Sequence, residues 1–268
     1  MIEVWLNGII VPEHEARIAP DDRGLLLGDG LFETLRVSGG RPLRLDRHLA
    51  RLRAGAEILG LPVPLDDAEF AAAMAALLAR RGLSEASLRL TLTRGPAPRG
   101  LLPPAEPTPT MLLTAAPLPP PLPPAHVVVA QRTRRNEHSP LSRIKSLSYL
   151  DGVLARQEAA RRGADDALLL NTAGRVAEAS AANLFLLLDG TLVTPPVAEG
   201  ALPGVLRAAV LDAFPVAERP VTVEDLHRAE EAFLTSSLGV RPVIAIDGRP
   251  VGNGRPGVRS AEIAAAVG

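Results

Sequence analysis

The chain has 268 residues, of which 47% are hydrophobic and 22% are charged, as in an ordinary soluble protein with a sizeable core. Its 29 basic and 30 acidic residues give a net charge of -1, so electrostatics gives no reason to expect a nucleic acid or an acidic membrane surface as a partner. The absence of cysteine excludes disulfides, thiolate metal sites and thiol nucleophiles. Neither a signal peptide nor a membrane span is visible, and we expect a cytoplasmic protein.

The first part of the chain is predicted to combine paired strands with two helices. Asn7-Gly8 is a hairpin signal between two short apolar runs. Asp46 is the expected N-cap of a first helix, and a second helix is expected over residues 66–81. Strands are expected over residues 2–6, 9–11, 31–37, 42–45, 87–93 and 111–115.

A proline-rich run separates this part from the rest of the chain. Residues 117–124 contain six prolines, which exclude a helix or a central strand and favour a stiff polyproline connector. A ligand for a proline-binding domain is the other interpretation, but the position between two folded halves favours a linker. We therefore predict a small domain over residues 1–116, a linker over 117–124 and a larger domain over 125–268.

The second half is predicted to contain helices over residues 149–161 and from Pro203-Gly204 to Phe214. Strands are expected over residues 127–132, 167–170, 175–177, 183–188, 192–193, 232–235 and 243–246.

Lys145 is a candidate for covalent catalysis, because 28 of the 29 basic residues are arginine and it is the only lysine. A desolvated lysine amine can lose its proton and attack a carbonyl, whereas a guanidinium effectively cannot. The alternative is that one lysine was retained by chance. No metal is expected, because the five histidines have no ligand spacing.

Six segments in order along the chain carry a family resemblance. They are residues 22–34 (DRGLLLGDGLFET), 46–52 (DRHLARL), 143–147 (RIKSL), 178–185 (EASAANLF), 201–207 (ALPGVLR) and 233–237 (FLTSS). Together they resemble the fold-type IV pyridoxal-phosphate enzymes: branched-chain aminotransferase, D-amino-acid aminotransferase and aminodeoxychorismate lyase. The resemblance implies an α+β, two-domain enzyme with a small N-terminal α/β domain and a larger C-terminal domain built on a mixed sheet.

The resemblance also implies how pyridoxal 5'-phosphate is held and used. Lys145 carries the cofactor as a Schiff base and afterwards moves the proton between the substrate α-carbon and the cofactor C4′. Glu178 lies against the pyridine nitrogen and keeps it protonated, so that the ring accepts electrons. Tyr149 corresponds to a tyrosine near the ring oxygen in the branched-chain enzymes, although a core position in the first helical turn is an equal interpretation. Leu202 packs behind the ring.

Phosphate binding is expected from three places. Arg51 matches the phosphate arginine of the family, although Arg44, Arg47 and Arg53 share its helix pattern and only the motif selects Arg51. The turn before Val205 and Leu206 opens a helix, whose N–H groups suit a phosphate. Leu206 replaces a threonine common in the family, and the hydroxyl pair Ser236 and Ser237 is expected to compensate.

The substrate is the least determined feature. By resemblance to the D-amino-acid enzymes, Phe32 and Arg99 line the substrate site, with Arg99 as the carboxylate anchor and Arg36 and Arg89 as alternatives. We expect a transaminase that moves an amino group between a D-amino acid or a branched-chain amino acid and a 2-oxo acid. Aminodeoxychorismate lyase, which forms 4-aminobenzoate and pyruvate, remains the alternative. A homodimer whose active site is completed by a loop from the neighbour is implied.

Overall fold

A computed structural model of the protein describes residues 2–268, and its residues group into two compact units. Unit 1 comprises residues up to Pro120 together with Ile144–Ser148, and unit 2 comprises Pro121–Arg143 and Tyr149–Gly268. The α+β class is confirmed, because each unit combines helices with one sheet.

Unit 1 is built on a six-stranded sheet with the strand order β2-β1-β6-β5-β3-β4, in which every pairing is antiparallel. Its elements are β1 (Glu3–Leu6), β2 (Ile9–Pro12), α1 (Arg23–Leu27), β3 (Gly30–Ser38), β4 (Arg41–Pro42), α2 (Leu45–Leu59), α3 (Asp67–Arg81), β5 (Ala86–Thr93) and β6 (Thr110–Pro117).

The two faces of this sheet differ in chemistry. Leu35 of β3 lies opposite Leu88 of β5, and both are buried in one core with apolar residues of α2 and α3. Because side chains alternate along a strand, the other face carries Phe32, Thr34 and Arg36 from β3. Opposite them on β5 stand Thr91, Arg89 and Ser87. Where it is formed by β3 and β5, the face away from the helices is therefore polar and basic apart from Phe32.

The helix starts show where local prediction succeeded and failed. The predicted second helix is confirmed: Asp66 caps α3 in a reciprocal pair of hydrogen bonds with Glu69. The predicted cap of α2 at Asp46 was wrong, because Asp46 lies in the first turn and Arg44 occupies the N-cap in a left-handed conformation, φ 53°. Arg44 lies in the two-residue link between β4 and α2, and the strand that was expected over 42–45 ends at Pro42.

Unit 2 contains the predicted mixed sheet, which has nine strands in the order β12-β11-β10-β13-β14-β7-β8-β9 with β15 paired to β14. The pairings of β7 with β8, β7 with β14 and β11 with β12 are parallel. The elements are β7 (Ala125–Arg135), α4 (Leu150–Arg161), β8 (Asp166–Asn171), β9 (Val176–Ala179), β10 (Asn183–Leu188), β11 (Thr191–Thr194), α5 (Val205–Ala213), β12 (Ala217–Glu218), α6 (Val223–Arg228), β13 (Glu231–Ser236), β14 (Gly239–Ile246), β15 (Arg249–Pro250) and α7 (Val258–Val267).

Apolar layers cover both sides of this sheet. Strands β8 and β9 are buried at every position, which is typical of strands covered on both faces. On one side, the stacked rings of Phe185 and Phe233 pack with α5 and α7, and α4 packs on β7 and β8. The alternate residues Leu184 and Leu234 of β10 and β13 belong to a second buried cluster on the other side. These layers fix the ends of β9, β10 and β13, where several predicted site residues lie.

Candidate active site

The lysine segment is an additional strand-like neighbour of β3 within unit 1. The Phe32 backbone N–H donates to the carbonyl of Lys145 at 2.9 Å, and the Leu147 N–H donates to the carbonyl of Gly30 at 2.9 Å. These bonds join residues more than a hundred positions apart. They fix the backbone of the only lysine beside the first residues of β3, at the edge of the sheet.

The Gly28-Asp29-Gly30 motif makes room for this segment. A Cβ atom at Gly30 would lie 2.5 Å from the Leu92 carbonyl oxygen and 2.8 Å from Leu147 Cδ1. Gly28 has φ 67°, and a Cβ there would lie 2.6 Å from Ser148 Oγ. Asp29 between them accepts hydrogen bonds from two arginines, and these bonds lower its pKa although burial opposes them. The two glycines of the motif therefore leave the space that residues 144–148 occupy beside β3.

The Lys145 side chain lies over an aromatic ring that a second cation also contacts. Its Nζ is 4.3 Å from the centre of the Phe32 ring, and the Arg89 guanidinium carbon is 3.9 Å from the same centre. Both distances fall in the range of cation–π contacts. Phe32 therefore brings together the predicted covalent lysine and one candidate carboxylate anchor.

Arg51 is bound at two atoms to a buried glutamate. Its Nε donates to Glu33 Oε1 at 2.8 Å and its second terminal nitrogen to Glu33 Oε2 at 2.6 Å. His48 Nδ1 lies 2.7 Å from the same Oε2. Burial raises the pKa of Glu33, but the bonds from His48 and Arg51 outweigh it and hold that pKa below the ordinary value.

This cluster distinguishes Arg51 from the other arginines of α2. The side chain of Arg51 is 9% exposed, whereas Arg53 is 39% exposed and pairs with Asp67 near the surface. Sequence reasoning did not single out Glu33 and His48. The spacing along the helix could have identified His48, because His48 and Arg51 are three residues apart and so share one face of α2.

In unit 2, the carboxylate of Glu178 is held by three groups. Oε2 accepts a hydrogen bond from the Leu202 backbone N–H at 2.9 Å and one from Asn183 Nδ2 at 3.3 Å. Oε1 lies 3.1 Å from Nε of Arg135. Asn183 also donates to the Leu202 carbonyl at 2.9 Å. Glu178 and Leu202, both predicted site residues, are therefore brought together.

The turn that follows leads into α5, which has no side-chain cap. Gly204 is its N-cap residue, and a Cβ there would lie 2.0 Å from Asn183 Oδ1. The side chains of Val205 and Leu206 are buried in the core, so only their backbone N–H groups can serve a ligand at this helix start. Such a turn suits a phosphate.

Two other predicted positions lie at the ends of unit 2 elements. Ser236 ends β13, its Oγ accepts from the Leu238 N–H at 3.3 Å, and Ser237 follows it. The neighbouring Thr235 faces Asn183 across the strands, and its buried hydroxyl has no partner among the described residues 2–268. Tyr149 is the N-cap residue of α4, half-buried, with its ring beside Gly152.

The three candidates for the carboxylate anchor have different surroundings. Arg89 lies on the Phe32 ring, and its Nε donates to Thr91 at 3.3 Å. Arg36 has a buried Nε without a partner within residues 2–268. Arg99 is exposed in the loop that Arg23 holds at the carbonyls of Gly100 and Leu101.

The described part of the chain, residues 2–268, lacks two classes of feature. No group of three histidine, cysteine, aspartate or glutamate side chains there could hold a metal ion. No helix in that range has the length and apolarity needed to cross a membrane.

The sequence profile of the family "Amino-transferase class IV" matches residues 30–246, from the start of β3 to the end of β14. The chain belongs to the class IV aminotransferase family. It is an enzyme, and the cofactor of this family is pyridoxal phosphate. The predicted resemblance is confirmed by a match that spans both units.

Relatives support the same assignment over nearly the full length. The chain is 36% identical to a putative branched-chain-amino-acid aminotransferase of Methanocaldococcus jannaschii over 96% of this chain and 92% of the relative. It is 31% identical to a D-alanine aminotransferase of Bacillus licheniformis, with the same coverage of 96% and 92%.

Solved structures of related enzymes have a fold similar to that of this chain. The branched-chain aminotransferase of Escherichia coli has a TM-score of 0.92 at 28% identity, covering 98% of this chain and 92% of that one. A second branched-chain aminotransferase, solved as a complex with N-(5'-phosphopyridoxyl)-L-glutamate, has a TM-score of 0.91 at 27% identity, covering 98% and 91%. A putative 4-amino-4-deoxychorismate lyase of Legionella pneumophila has a TM-score of 0.83 at 32% identity, covering 89% and 90%.

The residues present fit pyridoxal phosphate. Unit 1 offers one amine, Lys145, on a fixed backbone. Unit 2 offers an anchored carboxylate, Glu178, and an uncapped helix start at Gly204. An amine, an anion and phosphate donors are the groups that this cofactor requires.

Proposed function

We propose that this aminotransferase moves the amino group of a branched-chain or D-amino acid to a 2-oxo acid, with Lys145 as its covalent residue. The position of Lys145 carries the proposal: the only lysine of the chain is fixed by β3 beside Phe32. The two substrate classes come from the relatives, which are named branched-chain and D-alanine aminotransferases.

Lys145 and Glu178 divide the chemistry. Pyridoxal phosphate, when bound, supplies an acceptor for the electrons left when the substrate loses its α-proton. Lys145 Nζ would hold the cofactor, and its amine would move the proton at the substrate α-carbon. Glu178 holds a proton at the pyridine nitrogen, and its three partners keep its carboxylate oriented for this task.

Phosphate and ring contacts are proposed for the remaining predicted residues. Arg51 supplies a guanidinium fixed by Glu33, and the N–H groups of Val205 and Leu206 supply donors at the start of α5. Ser236 and Ser237 add hydroxyls at the end of β13. Leu202 would pack against the ring, and Tyr149 would donate to its oxygen.

Arg89 is the better-supported anchor for the substrate carboxylate. It contacts the ring that Lys145 also contacts, whereas Arg99 lies in an exposed loop. Arg89→Ala and Arg99→Ala therefore form a matched pair. We expect Arg89→Ala to raise the KM for amino acids far more than the KM for a carboxylate-free amine. The same selective effect in Arg99→Ala, with Arg89→Ala unaffected, would return the role to Arg99.

Aminodeoxychorismate lyase is the second candidate, because the lyase-named structure is 32% identical to this chain. Stopped-flow spectra of the holoenzyme mixed with an L-branched amino acid, a D-amino acid or aminodeoxychorismate separate the candidates. We expect either amino acid to convert the cofactor to its amine form stoichiometrically. Conversion by neither amino acid, with release of 4-aminobenzoate and pyruvate from the third substrate, contradicts the transaminase assignment.

The proposal also includes that the protein is a cytoplasmic homodimer. Within each chain, the domain boundary is proposed at residues 117–124. Three exposed leucines of α1, Leu25, Leu26 and Leu27, support the dimer. Two more, Leu101 and Leu102, lie in the loop that Arg23 ties to that helix. Exposed apolar groups of this kind mark interaction sites. Residues 118–124 contain no helix or strand, which supports a connector there.

A further inference from the structure

Arg135 joins three parts of unit 2 through one guanidinium. Its Nε lies 3.1 Å from Glu178 Oε1 and donates to the Gly200 carbonyl at 3.0 Å. A terminal nitrogen donates to the Ser142 carbonyl at 3.0 Å. One planar group therefore connects the carboxylate on β9 with the loop before α5 and with the segment that leads toward Lys145 in sequence.

The backbone around Arg135 is shaped to permit these contacts. Gly200 has φ 95°, a conformation that side-chain-bearing residues rarely adopt. A Cβ there would lie 3.2 Å from Arg135 Cβ, tighter than nearly all such contacts. The carbonyl of Gly200 can therefore reach the guanidinium only because this position is glycine.

The pair between Arg135 and Glu178 is shielded from water, with side chains 19% and 10% exposed. A cation at this distance favours the ionised form of a carboxylate, and the effect is stronger where solvent is excluded. Removing one member of such a pair leaves a buried charge without compensation. Without Arg135, Glu178 keeps its hydrogen bonds from Leu202 and Asn183 but loses this cation, so its carboxylate competes more strongly with the pyridine nitrogen for a proton.

We propose that Arg135 is a positioning residue that keeps Glu178 ionised, so that the pyridine nitrogen of the cofactor stays protonated. This inference rests on the proposed role of Glu178. Arg135 acts through Glu178 and through the loop at Gly200.

The test uses holoenzyme reconstituted with pyridoxal phosphate labelled with nitrogen-15 in the ring. The chemical shift of the ring nitrogen reports its protonation directly, which a purely structural role of Arg135 would not change. The variants are Arg135→Gln, Arg135→Lys and Glu178→Gln, and the control is Arg219→Gln, which breaks the separate pair with Asp225. Spectra are recorded from neutral to alkaline pH, together with the rate of the half-reaction with an amino acid.

We expect Arg135→Gln and Glu178→Gln to move the ring signal from pyridinium toward neutral pyridine and to slow the half-reaction roughly ten-fold or more. Arg135→Lys should be intermediate, because an ammonium keeps the charge but lacks the planar, fixed donors with which the guanidinium reaches its three acceptors. Arg219→Gln should match the parent enzyme. If Arg135→Gln does not fold, Arg135→Lys alone tests the role of Arg135. The inference then requires that the pyridinium signal of Arg135→Lys disappear at a lower pH than in the parent enzyme.

The outcomes separate the inference from the function on which it rests. A pyridinium signal retained in Arg135→Gln but lost in Glu178→Gln overturns the role of Arg135 alone. A signal retained in both variants overturns the role of Glu178 and the inference with it. An unchanged signal in Arg135→Lys, where Arg135→Gln does not fold, also overturns the inference.

Discussion

At the scale of single residues, the buried ion pair of Arg51 with Glu33 makes the phosphate proposal testable. A charge-assisted hydrogen bond contributes about 1.5 to 3 kcal/mol, so we expect Arg51→Ala to raise the Kd for pyridoxal phosphate roughly ten- to a hundred-fold. Fluorescence titration of the cofactor-free protein measures this constant. Arg53→Ala, on the same helix but paired at the surface with Asp67, is the control and should leave the Kd unchanged. Equal effects of both changes would remove Arg51 from the phosphate site.

Glu33 itself predicts a dependence of stability on pH. Although burial raises its pKa, hydrogen bonds from His48 and Arg51 hold that pKa below the ordinary value of 4.5. A carboxyl group whose pKa is lowered by folding stabilises the protein above its unfolded pKa. This contribution is lost as the pH falls through the folded pKa.

We therefore expect Glu33→Gln to lower the Tm at neutral pH and to flatten its decline below about pH 4. Thermal unfolding measured over a pH series checks this expectation. Glu57→Gln changes an exposed carboxylate of the same helix and serves as the control. If the Tm of Glu33→Gln fell as steeply with decreasing pH as that of the parent protein, Glu33 would not be the source of this pH dependence.

At the scale of elements, the contact of β3 with residues 144–148 depends on Gly30. An alanine Cβ there would collide with the Leu92 carbonyl oxygen at 2.5 Å and with the Cα of Thr93 at 2.9 Å, both of which are backbone atoms. We expect Gly30→Ala to lower the free energy of unfolding by about 1 to 3 kcal/mol, as overpacking does. We also expect it to reduce activity, because residues 144–148 would shift.

Denaturant unfolding and the half-reaction rate measure the two effects of Gly30→Ala. Gly39→Asn is the control, because a Cβ at that turn meets nothing within 4 Å and asparagine tolerates its positive φ. Unchanged stability and rate in Gly30→Ala would show that the close approach is not required.

Prediction from sequence worked for elements whose signals are local. The helix predicted over residues 66–81 is α3, and the strands predicted over 87–93 and 111–115 lie within β5 and β6. The start of α2 was mispredicted because aspartate is a preferred N-cap residue, whereas the chain leaves β4 through a left-handed Arg44 and the helix begins one residue before Asp46. The preference of aspartate for the N-cap position therefore did not decide where this helix begins.

The site was predictable where a motif exists and not where contacts join distant segments. Lys145 and Glu178 were selected by chemistry and by resemblance. The placement of residues 144–148 beside β3 depends on hydrogen bonds to Gly30 and Phe32, which no local pattern encodes. Arg135 escaped notice for the same reason, because its partners lie at Glu178, Gly200 and Ser142.

At the scale of the whole molecule, the exposed leucines of unit 1 test the proposed assembly. Leu101 and Leu102 are 83% and 88% exposed. Placing two carboxylates in an apolar interface leaves them buried and unpaired, so we expect Leu101→Glu with Leu102→Glu to dissociate the dimer. Sedimentation velocity measures the mass, and Leu122→Glu in the connector is the control. A dimer that survives the double change excludes this loop from the interface, and a monomeric parent protein refutes the assembly.

The central claim is that the only lysine of the chain holds the cofactor. Borohydride reduction of the purified holoenzyme, followed by proteolysis and mass spectrometry, tests it most directly. We expect a phosphopyridoxyl group on the peptide that contains Lys145 and on no other peptide. An unmodified Lys145 in protein that binds the cofactor, or a label only at the N-terminal amine, would contradict the claim.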